Sequence, residues 1–125
     1  MIGYMTELAA NLVLDGGTLA STYYAQQHTD VPGLAFDENI SPDPTRFVIV
    51  FGAAAGGART NTNASSLPAA PADTAISYLT LWTAAADGEC HWVALIDEAP
   101  VTITAGNIVG INIVDLTLAL DIWTQ

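Results

Sequence analysis

The chain has 125 residues, thirteen of them acidic and two basic, for a net charge of −11. That length supports one domain, with enough core to fold without metals or disulfides. Lysine is absent and only Arg46 and Arg59 are cationic, which excludes binding to a nucleic-acid backbone or an anionic membrane surface and rules out lysine-based covalent chemistry.

Apolar residues make up 51% of the chain and charged residues 12%, which is the reverse of a disordered composition. No apolar run reaches the roughly 18 residues of a spanning helix. No basic segment precedes an apolar one, so no secretory leader is expected. The lone Cys90 cannot close an internal disulfide.

Met5, Leu8, Ala9 and Leu12 recur at three- and four-residue spacing, which predicts a short N-terminal helix. Thr6 or Gly3 opens it. Asp15-Gly16-Gly17 stops it, since glycine accepts the left-handed C-terminal geometry. Residues 1–15 therefore read as a helix or arm, and residues 16–125 as one β-domain with no linker. The arm is the expected cover for a sheet edge or clasp on a neighbour, so removing residues 2–14 is expected to lower occupancy on an assembly.

Residues 18–24 (TLASTYY) predict the first strand, followed by a loop through Thr29-Asp30-Val31-Pro32-Gly33. Prolines 42 and 44 exclude helix there. Residues 47–51 (FVIVF) read as a strand covered on both faces. Residues 52–57 (GAAAGG) form a small-residue turn, and 61–67 a short strand. Further strands are predicted at 76–82, 90–96, 101–104, 108–114 and 116–123. In the last, Leu116, Leu118, Leu120 and Ile122 share one face at period two. The pattern predicts a mainly β fold, an antiparallel β-sandwich or jelly roll with a short N-terminal helix.

Few residues invite a chemical reading. His28 and His91 are the only imidazoles. Cys90 and His91 are adjacent, so an alternating strand sends them to opposite faces, and no CxxC or HxxxH spacing supports a metal site. No GxSxG elbow is present. Asp37-Glu38, Asp87 with Glu89, and Asp97-Glu98 lie at predicted turns without glycosidase or calcium-loop spacing. They read as solvated charges. Tyr23, Tyr24, Trp82, Trp92 and Trp123 could form a sugar platform, although at strand positions they read first as core or interface residues. Asn63-Ala64-Ser65 fits a glycosylation acceptor, read as coincidental without a secretory leader. No catalytic residue, cofactor or metal is expected. The low charge and the lack of edge-protecting lysines favour a surface covered by other subunits.

The order of Tyr23-Tyr24, His28-Thr29-Asp30, Pro32-Gly33, Leu81-Trp82, Gly88, Trp92, Leu95, Pro100-Val101-Thr102, Ala105-Gly106-Asn107 and 116–121 (LTLALD) resembles a family of small tailed-bacteriophage virion proteins. Its members are described as minor tail, tail fibre or head decoration proteins. Asn107 and Thr83 stand where that family usually has Asp. The resemblance implies a β-sandwich built into a virion, with Trp82 and Trp92 filling the space between sheets. It further implies a non-enzymatic capsid decoration or cement protein on the outer capsid, bound to the major capsid protein as a homotrimer. The alternatives are a minor tail or fibre-associated protein bound to tail proteins, and a carbohydrate-binding attachment module. Candidate structural and interface residues are Met5, Leu8, Leu12, Tyr23, Tyr24, Trp82, Trp92 and Trp123.

Overall fold

A computed structural model of the chain describes residues 1–66, 70–107, 110–111 and 116–124. In chain order it contains β1 (Ile2–Met5), α1 (Glu7–Leu14), β2 (Thr22–His28), β3 (Phe47–Val50), β4 (Ala58–Thr60), β5 (Ser65–Ser66), β6 (Thr74–Ile76), β7 (Tyr78–Trp82), β8 (Cys90–Leu95), β9 (Val101–Ile103), β10 (Gly110–Ile111) and β11 (Thr117–Ile122). The fold is mainly β with one short N-terminal helix, and its main sheet curls into a half-barrel. That sheet has seven strands in the order β3-β2-β7-β8-β1-β11-β4. The pairs β5·β10 and β6·β9 stand beside it. Every pairing in the large sheet is antiparallel except β1·β11, which is parallel. Most of the predicted 108–114 strand lies outside the described residues.

Alternation fixes the two faces of the sheet. Phe47 and Ile49 of β3, Tyr23 and Ala25 of β2, Leu79 and Leu81 of β7, Trp92 and Ala94 of β8, Met5 of β1 and Leu118 of β11 point into one core. Burying each large side chain among these contributes about 1.5–3 kcal/mol. Gly3 is needed where β1 passes β11, because a Cβ there would lie 2.7 Å from the Leu118 side chain. The register of β7·β8 shifts between Leu81 and Trp82, an irregularity that bends a sheet.

The two sheet edges meet at one end. Phe51, just past β3, bridges Asn61, just past β4, while the Gly52 amide donates to the Thr60 carbonyl at 3.0 Å. Arg59 fastens this seam. Its Nε donates to the Gly52 carbonyl at 2.8 Å, Nη1 to the Ala20 carbonyl at 3.1 Å and Nη2 to the Ser21 hydroxyl at 2.7 Å. Asn63 then caps the outer edge of β3. Its Oδ1 accepts from the Val50 amide at 2.8 Å and its Nδ2 donates to the Val48 carbonyl at 3.2 Å. A side-chain amide thus stands where a neighbouring peptide would, the role lysines often fill at exposed edges. A glycan on that nitrogen would displace the cap.

Several expectations are corrected. Met5 is not a helical residue: it ends β1, and Thr6 caps the helix, accepting from the Ala9 amide at 3.3 Å and donating to the Cys90 carbonyl at 2.8 Å. Ala9 is the buried residue of α1; Leu8 is exposed and Leu12 half-buried. The N-terminal segment is no detachable clasp, because β1 lies between β8 and β11. Removing residues 2–14 would therefore take out an interior strand. The strand expected from Thr18 is β2 and starts at Thr22, preceded by the unforeseen β1, and β3 is an edge strand with Val48 exposed. Its valines hide the alternation, since β-branched residues suit either face of a sheet.

Candidate interaction surface

His28 organises the loop between β2 and β3. Its Nδ1–H donates to the Glu38 carbonyl at 2.7 Å, so Nε2 is the bare nitrogen and accepts from the Thr80 hydroxyl at 2.8 Å. The Thr80 oxygen accepts in turn from the Trp82 indole N–H at 2.8 Å. His28 and Thr80 are fully buried, and burial pushes the His28 imidazole below its usual pKa. The neutral tautomer is the one this network requires.

That histidine anchors a tight loop. The Thr29 amide donates to the Asn39 carbonyl at 2.8 Å, the Glu38 amide to the Pro32 carbonyl at 3.0 Å, and Asn39 Nδ2 to the Val31 carbonyl at 2.8 Å. Gly33 has φ +80°, and a Cβ on it would collide with the Glu38 side chain. Phe36 has φ +61°, a conformation that a bulky residue keeps only when its surroundings impose it. The His-Thr-Asp and Pro-Gly pattern thus builds a rigid tip, on which Leu34 stands 87% exposed.

Leu34 faces a groove of about 530 Å³ between this tip, the start of α1 and the end of β11. Leu8, Leu34, Phe36, Ile122 and Trp123 line it, with Glu7 at its border. Trp123 extends the apolar surface onto the outer sheet face. Its ring lies 5.6 Å from that of Tyr78 and 6.4 Å from that of Tyr4. Tyr4 belongs to a second groove of about 430 Å³ with Ile2, Leu95, Ile96, Asp97 and Glu98. One apolar band therefore runs from Leu34 through Trp123 to Ile2 and Leu95. Leu8, Ile122, Ile2 and Leu95 are each nearly half exposed. Such a contiguous apolar surface marks contact with another molecule.

The side-chain charges that line the band are carboxylates, and the chain's cations are each engaged. Arg59 is held at the seam. Arg46 donates from Nη1 to the carbonyls of Ala84 at 2.8 Å and Asp87 at 2.7 Å, with its guanidinium 4.3 Å from the Trp82 ring centre. The N-terminal ammonium pairs with Asp97 at 2.8 Å.

The sequence candidates divide. Tyr23 and Trp92 are buried and belong to the core, as does Met5. Tyr24 and Trp82 are half-buried on the outer face, so Trp82 packs under Arg46 rather than filling the interior. Leu8 and Trp123 line the band; Leu12 does not. With Tyr23 and Trp92 buried, the five aromatics form no common sugar platform. Leu34, Ile122, Ile2 and Leu95 were missed. An apolar side chain inside a Pro-Gly turn, as in 31–36 (VPGLAF), was the available signal for Leu34.

No catalytic constellation assembles from the pairs singled out. Cys90 is buried, and desolvation raises its thiol pKa to about 12, the opposite of an activated nucleophile. His91 and Tyr23 are bonded, with the Tyr23 hydroxyl 2.9 Å from His91 Nδ1, but both are sealed in the core. The shifted register of β8 turns His91 inward together with Trp92, while Cys90 stands opposite the outward-facing Trp82, so the two neighbours do point to opposite faces. Among the described residues no three His, Cys, Asp or Glu side chains gather as metal ligands.

A β scaffold with a rigid, unpartnered apolar band has the character of a part that packs against other parts. A family model described as podophage GP4 fiber I protein gp80 matches residues 1–119, and the chain belongs to that family. It is a phage structural protein of the fibre-associated kind. No curated protein matches the chain.

Proposed function

We propose that this protein is a non-enzymatic subunit of the phage fibre or its base, joining neighbouring virion proteins through the apolar band. The observation that carries this reading is the band itself, in a chain whose family is described by its fibre. Burying exposed Leu34, Ile122 and Leu8, with half-buried Trp123, against a neighbour supplies the non-directional driving force of most protein association. The rigid tip limits the ordering cost of that contact. Repetition of the contact around a fibre multiplies a modest affinity by avidity.

The family description supports the fibre over the outer capsid surface, and no separate observation favours a cement role there. Copy number and position in purified particles separate the two. A handful to a few dozen copies, localised to the tail by gold-labelled antibody, is the expected result. Hundreds of copies spread over the head would replace this reading with capsid decoration.

A further inference from the structure

We infer that the Leu34 groove takes a cationic segment with apolar anchors, contributed by a different virion protein and not by a second copy of this chain. The inference rests on the fibre reading for the kind of partner, and on charge for its chemistry. The groove floor is apolar, formed by Leu8, Leu34, Ile122 and Trp123. Its border is anionic: Glu7 lines it, and exposed Asp37 follows Phe36 on the tip. Glu98 borders the far end of the band, next to Asp97, which the N-terminal ammonium already pairs.

A second copy has little to answer these carboxylates. The chain holds two arginines and no lysine. Both guanidinium groups are committed to backbone carbonyls within their own molecule, and the N-terminal ammonium is paired with Asp97. Packing two copies groove to groove would bring carboxylates together across a poorly solvated contact, which disfavours that pairing. A lysine or arginine stem can instead lie along the apolar floor and hold its head at the acidic border. The homotrimer expected from the resemblance would then have to form through some other surface.

The test uses the purified full-length chain and two synthetic peptides, one alternating leucine with lysine and the other leucine with glutamate. Binding is followed by NMR shifts of the Trp123 indole and the Leu34 and Ile122 methyls. The leucine–lysine peptide is expected to bind at these positions and to weaken as salt is raised. Combining Glu7→Gln, Asp37→Asn and Glu98→Gln should weaken it about threefold to tenfold, the scale of exposed charge pairs. Leu34→Ser with Ile122→Ser, followed by the Trp123 indole alone, should abolish its shift on adding peptide, and both sites are exposed enough to leave the fold intact. Equal binding of the leucine–glutamate peptide would overturn the proposal. So would undiminished lysine-peptide binding by the serine variant, or self-association of the chain that this variant abolishes. Peptide binding is read on the isolated chain and fibre position on particles, so failure of one is distinguishable from failure of the other.

Discussion

The guanidinium of Arg46 stacks on the Trp82 ring at 4.3 Å while its Nη1 closes the 84–87 turn through two carbonyls. One side chain thus ties the start of β3 to the end of β7. Replacing it with alanine loses a cation–π contact and two charge-assisted hydrogen bonds. Arg46→Ala should cost about 1–3 kcal/mol. Arg46→Lys should recover less than half of that, because an ammonium lacks the planar fork. Urea midpoints at unchanged slope measure both.

Asn63 predicts a different failure. Its amide is the cap on the β3 edge, accepting from Val50 and donating to Val48. Asn63→Ala should destabilise by about 1–2 kcal/mol and leave strand groups open to pairing with another chain. Light scattering on warming should rise earlier than for the parent protein. A stability loss with no change in scattering would show that the cap holds the fold but does not guard the edge.

The histidines give the protein an acid-sensitive side. Burial is the first cause that lowers the pKa of both His28 and His91 below 6.5. The unfolded chain therefore takes up protons first as pH falls, and stability rises with pH in that window. The stabilisation is complete above about pH 6.5 and declines below it, toward the folded-state pKa values. His28→Gln should flatten this decline, since glutamine cannot be protonated, while losing stability at neutral pH through the Thr80 and Glu38 bonds. Urea midpoints measured from neutral pH downward test both effects.

The strand content was legible because the core-facing residues of β2, β7 and β11 alternate. The helix was legible through its ends, Thr6 and Asp15-Gly16, more than through its face, since Leu8 lies outside and Ala9 inside. Other features were hidden for physical reasons. Gln26, Gln27 and His28 read as a polar stretch, yet all three are buried; the loop supplies the Pro44 carbonyl for Gln26 at 3.0 Å and the Glu38 carbonyl for His28 at 2.7 Å. The band was hidden because it draws on residues distant in sequence: Leu8, Leu34 and Trp123 meet only after β1 and β11 pair in parallel. No local periodicity reports such a contact. The resemblance located the Pro-Gly loop correctly but gave it no role beyond a turn.

Leu34 and Ile122 carry the central claim, since both are exposed and neither belongs to the buried core. Replacing them should shift stability by no more than about 0.5 kcal/mol, as at other surface sites. The decisive measurement is the number of copies per particle in phage assembled with Leu34→Ser, Ile122→Ser protein in place of the parent. The account predicts a folded, equally stable subunit that is largely missing from purified particles. Full occupancy of the particle by the serine variant would contradict it.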